Sequence, residues 1–174
     1  MAAQVISDTS PDLAHPLSNK WTLWNHLPHE TDWSINGYKV VDTVNTVEQT
    51  VGLCKAIPPV LPQTSMLYFM KNNIKPIWED VNNRRGGCFS YQIPSNVVAD
   101  VWTRLCFALT GNTLSDNSQC MATINGITVS PKKKFCIIKI WMSGCNYQDP
   151  NVIINSIPGL TTHGCLFKKF DPEY

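Results

Sequence analysis

The chain has 174 residues, 43% of them hydrophobic and 16% charged, enough apolar material for one compact domain with a core and too much for disorder throughout. Fourteen Lys and Arg against 13 Asp and Glu leave a formal charge of +1, which excludes a global basic field for long nucleic acid and confines any such contact to a local patch. Seven cysteines, Cys54, Cys88, Cys106, Cys120, Cys136, Cys145 and Cys165, are an odd number with no C-x-x-C pair, which argues against a disulfide framework and a zinc site. Reduced thiols in a cytosolic or nuclear compartment are expected. No stretch approaches the ~20 apolar residues of a membrane helix, and MAAQVISDTSPDLA lacks the basic and apolar regions of a signal peptide.

Residues 1–14 are small and polar with no periodicity and are expected to form a flexible arm, and residues 15–174 a single domain. LSNKWTLWNHL predicts a strand with Trp21, Leu23 and Asn25 on one side and Trp24 on the other, and HETDWSING a loop. YKVVDTV predicts a strand leading to Thr46-Val47-Glu48-Gln49, whose Thr and Gln stand in capping-box spacing for a helix ending before Pro58. SMLYFM and CFSYQI predict two strands paired as a hairpin, with KNNIKPIWEDVNNRRGG as its enlarged tip. Val98, Val101, Trp102, Leu105 and Leu109 stand at helical spacing, with Gly111 as a left-handed C-terminal cap. Two strands around Gly126 and Pro131, a helical piece near NVIINSI and a final strand CLFKKF complete the chain. Hairpin-joined strands with a few helices on one side predict an α+β domain, an antiparallel curved sheet with one face free for a ligand.

Signatures of catalysis are missing: there is no G-x-x-x-x-G-K-[ST], G-x-G-x-x-G, H-E-x-x-H or G-x-S-x-G. His26, His29 and Glu30 lie close together but lack the third spaced ligand of a metal site and read as polar surface. The informative residues are tryptophans, of which the chain has six. Trp21, Trp24 and Trp102 fall inside apolar periodic segments and read as core. Trp33 and Trp78 stand in polar loops, and Trp141 ends a strand that follows Lys132-Lys133-Lys134. Two indole faces on separate loops are suited to sandwich a positively charged heteroaromatic ring such as a purine alkylated at nitrogen 7. A carboxylate beside them, Glu79, could accept two parallel hydrogen bonds from the N1–H and exocyclic amine of guanine, an edge adenine does not offer.

HPLSNKWTLW, DW, TVEQ, IKPIWEDVNNRRGG, VWTRLCFALTGN and IKIWM occur in order over residues 15–142, and this series resembles the translation initiation factor 4E family, the mRNA cap-binding proteins. The resemblance implies a sheet of about eight antiparallel strands with three helices on its convex face, a 7-methylguanosine ligand in the concave face, no cofactor, no membrane and a monomer. By position, Trp33 and Trp78 resemble the stacking pair, Glu79 the guanine-edge carboxylate, and Trp141 the residue that touches the N7-methyl group. Lys132, Lys133 and Lys134 lie in the hairpin where the family places cations for the cap triphosphate. Lys132 and Lys134 lead because alternate residues share a face, and Lys139, on Trp141's strand face, is an outside candidate.

Several positions depart from the family pattern. Cys88 follows Arg85-Gly86-Gly87 where a basic residue is common, and the chain stops at Tyr174 without the C-terminal loop that helps cover the second nucleotide. The resemblance also implies a partner surface for a 4G-type scaffold or a 4E-binding regulatory protein, at His15, Pro16, Leu17, Val47, Val51, Thr103, Arg104 and Phe107. Val51 replaces a tryptophan anchor, and Thr103 and Arg104 replace an apolar and an acidic residue, so contacts there are expected to be non-standard. Three functions follow in order: a cytoplasmic cap-binding initiation factor, a cap-binding repressor or storage protein, and an enzyme acting on the cap, the last opposed by the missing catalytic motifs.

Overall fold

The computed structural model describes residues 14–153 and 156–172, so the expected arm lies outside it except for Ala14. Seven antiparallel strands form one sheet: β1 (Pro16–His26), β2 (Tyr38–Thr46), β3 (Met66–Lys71), β4 (Gly87–Pro94), β5 (Ile124–Pro131), β6 (Phe135–Met142) and β7 (Leu166–Lys169), in the order β2-β1-β3-β5-β6-β4-β7. The expected hairpin of SMLYFM with CFSYQI is therefore not formed. β3 pairs with β1 and β5, and β4 pairs with β6 and β7, because the long connection from Asn72 to Gly86 carries the chain past the sites that β5 and β6 later fill. Among the described residues there are seven strands rather than eight, and four α-helices rather than three: α1 (Val47–Ala56), α2 (Leu61–Thr64), α3 (Val98–Thr110) and α4 (Ser118–Thr123). Near NVIINSI, of which Ile154 and Asn155 lie outside the described residues, the described residues form a 3₁₀ turn at Pro150–Val152.

Local chemistry sets the helix ends. The Thr46 hydroxyl accepts from the Gln49 backbone N–H at 3.2 Å, and the Gln49 side chain accepts in return from the N–H of Asn45, one residue outside the standard box. Asn117 caps α4, a helix the sequence pattern does not announce, by accepting from Gln119 and Cys120. At the end of α3, Gly111 keeps φ −82°, and the left-handed residue is Asn112 at φ 54°. Asparagine tolerates that region, and its amide is held there by a 2.7 Å bond to the Ser18 hydroxyl.

The strand periodicity divides the sheet into two faces. Trp21, Leu23, Phe69, Phe89, Ile127, Ile138 and Ile140 pack against Leu53 of α1 and Val101, Trp102 and Leu105 of α3 in the main core. Residues alternating with these form a second apolar cluster on the open face: Tyr38, Tyr68, Met70, Cys88, Trp141 and Phe170, with Trp24 and Trp78 packed at its margin. Trp21 and Trp102 are core residues as expected, whereas Trp24 belongs to the open face. On the outer edge, β2 carries a bulge against β1: Leu23 pairs with Asp42 and Trp24 with Val40, leaving Val41 unpaired and both valines exposed.

Candidate functional site

The open face is crossed by a series of touching rings. Trp33 stacks on His26 at a centroid distance of 4.2 Å and an interplanar angle of 8°. His26 meets Tyr38 edge-on at 4.8 Å, and Tyr38 meets Tyr68 at 5.2 Å. Tyr68 meets Trp141 at 6.2 Å, Trp141 leans on Phe170 at 4.7 Å, and Phe170 stacks under Trp78 at 5.5 Å and 25°. All three tryptophans singled out in the sequence thus belong to one aromatic lane, Trp33 at one end and Trp78 at the other. Trp33 is 57% exposed and its free indole face is available to a ligand, while Trp141 forms the floor at 3%.

Each loop tryptophan stands on a braced turn. Before Trp33, the buried His26 ring donates from Nε2 to the Asp32 carbonyl at 3.0 Å, so His26 is part of the lane and not the polar surface expected of it. Asp32 accepts from the Ser34 N–H at 2.8 Å, and hydrogen bonding to Ser34, from its side chain first and then from this N–H, holds the Asp32 carboxyl below the usual range. In the β3–β4 loop Asn83, fully buried, donates to the carbonyls of Lys75 at 2.9 Å and Ile77 at 2.8 Å and accepts from Asn125 of β5 at 2.9 Å. Asp80 accepts from the Lys75 and Asn82 N–H groups, and Arg84 donates to the Glu79 carbonyl. These bonds tie the base of the loop to the sheet and leave the Trp78 ring and the Glu79 carboxylate at its surface.

Glu79 itself is exposed, and its carboxylate acts on Tyr38 across the open face. Burial pushes the Tyr38 phenol up, a bond from Tyr68 opposes this, and the charges of Glu79 and Asp32 raise it further. The carboxylates of both loops are therefore close enough for their charge to bear on the same tyrosine. At Gly86 a Cβ would stand 1.8 Å from the Met142 carbonyl oxygen, and at Gly87 2.5 Å from that of Lys168, so the paired glycines let β4 sit close to both neighbours.

Strand register sets the candidate cations at different distances from Trp141. Lys134 lies seven residues before Trp141, about 23 Å along the strand, and the Lys132–Lys134 turn is at the far end of β6. Lys139 is two residues from Trp141 on the same face, about 7 Å away. Trp141 pairs with Cys88 and Cys88 with Lys168, so Lys168 shares that face two strands over, about 10 Å from Trp141. Both ammonium groups oppose the effect of burial on the Cys88 thiol, and they stand on β6 and β7, the strands on either side of it. The position where the sequence lacks a cation is thus flanked by two. Lys168, Phe170, His26, Tyr38 and Tyr68 are the open-face residues that the sequence reading did not select, although Leu166, Lys168 and Phe170 alternate along a strand it did predict.

On the helix-covered side, α1 and α3 touch at Cys54 and Cys106. Val51 and Val47 lie one and two turns back on the Cys54 stripe, and Thr103 and Phe107 flank Cys106. Val47 and Phe107 are 45% and 42% exposed. Arg104 is paired within its own helix to Asp100 at 2.7 Å. His15 donates to the Glu48 carboxylate at 2.6 Å, and its carbonyl accepts from the Val47 N–H, so Pro16 and Leu17 enter β1 next to the start of α1. Among the described residues, no three His, Cys, Asp or Glu side chains converge as a metal site.

A seven-stranded antiparallel sheet with helices on one face, an aromatic lane on the other and loop-borne indole and carboxylate groups above it defines an α+β recognition domain. The sequence profile described as Eukaryotic initiation factor 4E matches residues 16–160. The chain belongs to the eukaryotic initiation factor 4E family. It is 35% identical over 142 residues to eukaryotic translation initiation factor 4E of Candida albicans, a match covering 76% of this chain and 66% of that protein. It is 33% identical over 146 residues to the Saccharomyces cerevisiae factor, covering 79% and 66%. The chain spans about two thirds of the length of these curated relatives. Its fold superposes on Ascaris suum eIF4E-3 in complex with m7G cap at a TM-score of 0.68, with 28% identity and coverage of 80% and 78%. It superposes on C. elegans eIF4E-3 in complex with the 4E-binding protein Mextli and cap analog at 0.67, with 28% identity and 76% of each chain.

Proposed function

We propose that this chain binds the 7-methylguanosine 5′ cap of mRNA on its open face and acts in translation initiation without catalysing a reaction. The observation that carries this is the aromatic lane, which presents Trp33 and Trp78 on separate braced loops with Trp141 between them and the exposed Glu79 next to Trp78. In this reading the methylated base enters between Trp33 and Trp78, each stacked face contributing ~1–3 kcal/mol, and the ring's fixed positive charge favours it over guanine. Glu79 accepts from the Watson–Crick edge, and Trp141 meets the methyl group. Trp33 now rests on His26 and Trp78 on Phe170, so the sandwich needs one free face of each ring. Lys139 and Lys168 take the phosphates nearest the base. Support comes from the relatives, whose solved complexes hold a cap or cap analog.

For the helix-covered side the proposed partner is an amphipathic helix from a scaffold of the 4G type or a 4E-binding regulatory protein, lying over Val47, Val51, Thr103 and Phe107 beside the His15-Pro16-Leu17 entry strand. A repressor reading is favoured by one observation: Arg104 presents a cation, held by Asp100, to a partner helix that is basic at this point in the family pattern. Either activity is expected in the cytoplasm. Titration with 7-methyl-GTP and with GTP at fixed salt, followed by tryptophan emission, tests the site. Quenching by the methylated ligand at far lower concentration, lost in Trp78→Ala with the fold retained, is the expected result. Equal quenching by both ligands, or full binding by Trp78→Ala, overturns the assignment. Pull-down of a 4G-type scaffold separates initiation from repression.

A further inference from the structure

A histidine stands behind the most exposed ring of the lane. The His26 imidazole is 1% exposed and lies parallel to the Trp33 indole, 4.2 Å away at 8°, so it covers the face of that ring opposite the one a ligand would use. Its Nε2 meets the Asp32 carbonyl at 3.0 Å. A carbonyl only accepts, so the proton of the neutral ring sits on Nε2 and a second proton is taken up at Nδ1. The same carbonyl oxygen is packed against the following 3₁₀ turn: a Cβ at Gly37 would stand 1.8 Å from it, so only glycine lets the turn close there. Protonation at Nδ1 leaves the Nε2 bond in place and changes only the charge behind the indole. Of the ionisable groups around the ring, the loop brings Glu30 and Asp32, whose charge interacts with that of His26. Strand β2 brings Tyr38 edge-on and, on the opposite face of the sheet, Lys39, while β3 brings Tyr68 two residues from Met66, the partner of His26.

We propose that His26 is the positioning residue of the Trp33 ring and that its charge sets how strongly this ring prefers a cationic base. The inference deepens the cap reading above and rests on it. With the imidazole neutral, the indole keeps an electron-rich free face for the fixed positive charge of a 7-methylguanine. With the imidazole protonated, the same ring lies between two cations on opposite faces, which compete for its electron density and repel each other across a poorly screened interior. Neutral His26 thus favours the methylated base over guanine, and acidification removes part of that preference. By linkage the effect runs both ways: a ligand that binds the neutral form more tightly lowers the ring's affinity for its second proton by the same factor.

The test measures binding of the capped dinucleotide m7GpppG and of GpppG, by tryptophan emission at fixed salt, to the full chain and to His26→Phe at about pH 7 and about pH 5, a range in which histidine changes charge. A dinucleotide is used because a terminal phosphate itself titrates near about pH 6. The remaining titration of the ligand and of Glu79 is common to both proteins and cancels in their ratio. Phenylalanine keeps a flat ring behind Trp33 and removes the charge. On acidification the wild type should lose about tenfold more m7GpppG affinity than His26→Phe, with no such excess for GpppG. The ring-proton NMR signals of His26 in the wild type should show the reciprocal effect, a titration midpoint about one pH unit lower with m7GpppG bound than without. That measurement needs no variant and decides the question if His26→Phe does not fold. The proposal is overturned if the two proteins share one pH dependence, if GpppG shows the same excess loss, or if m7GpppG leaves the His26 midpoint unmoved or raises it; each would make His26 a purely steric support. Trp78→Ala keeps the two readings apart: m7GpppG binding retained in that variant refutes the cap site, whereas binding lost there with no His26 effect leaves the cap site standing and refutes only the role of His26.

Discussion

Replacing Asn83 with alanine removes three hydrogen bonds without altering any surface a ligand would touch. Its amide donates to the Lys75 and Ile77 carbonyls and accepts from Asn125, all at 2.8–2.9 Å, and the side chain is fully buried. At a net ~0.5–1.5 kcal/mol for each bond, and with two carbonyls and an amide N–H left without their partner, the loss should be about 3 kcal/mol. With urea m-values of ~1–3 kcal/mol/M, the unfolding midpoint should fall by roughly 1–2 M. Because these bonds set the base of the loop that carries Trp78 and Glu79, part of the cost appears as loop disorder that binding must reverse, and 1.4 kcal/mol of it corresponds to about a tenfold loss of 7-methyl-GTP affinity. Asn83→Asp should be worse than alanine, since it places an acceptor against two carbonyl acceptors and buries a charge. Urea unfolding by circular dichroism and ligand titration by tryptophan emission measure both effects. An alanine variant within about 0.5 kcal/mol of wild type with unchanged affinity, or an aspartate variant milder than alanine, would refute the bracing argument.

Gly86→Ala should destabilise by at least the ~1–3 kcal/mol usual for overpacking, because its Cβ would stand 1.8 Å from a backbone carbonyl that cannot swing aside; a thermal melt checks it. Trp102 is 1% exposed and its indole N–H is buried without an acceptor among the described residues. Trp102→Ala should therefore cost ~3–5 kcal/mol, and Trp102→Phe distinctly less than half of that, since phenylalanine also removes the stranded donor. The bond from His15 holds the Glu48 carboxyl down to about 2 from its ordinary 4.5. A depressed carboxyl contributes above its unfolded value, so the strand-to-helix tie should be complete above about pH 4.5 and lost as the pH falls toward 2. Carbon-detected NMR titration of Glu48 should show the low midpoint and its return to the ordinary range in His15→Ala.

Element boundaries and faces were legible where periodicity and capping act locally. The Trp21/Trp24 alternation, the Thr46 cap and the apolar stripe of α3 each depend on residues within a turn or two of one another. Strand partners were not, because nothing in SMLYFM or CFSYQI records that β5 and β6 later enter between them; pairing at that distance is decided by the whole sheet. The left-handed residue after α3 moved from Gly111 to Asn112 for a similar reason: a long-range bond to Ser18 selects it. At the site, Trp33, Trp78, Glu79 and Trp141 stood out as indoles and a carboxylate in polar loops or at a strand end. His26, Tyr38, Tyr68 and Phe170 resemble ordinary strand residues until register stacks them. The lysine run attracted attention as a cluster, whereas Lys168, alone on a short strand, became visible only through its pairing with Cys88.

The bulge at Val41 also bears on how this sheet avoids others like it. A regular nine-residue border strand with free N–H and C=O groups would be a template for a second chain, and exposed Val40 and Val41 would supply the apolar contact to hold it. The extra residue breaks the spacing of those groups, so an incoming strand in uniform register cannot satisfy them all, and Lys39 and Asp42 flank the break with opposite charges that an identical strand would have to match. The opposite border solves the same problem by brevity, since β7 offers only four residues. Deleting Val41 would restore uniform spacing and, with it, a border competent for strand exchange and fibre growth.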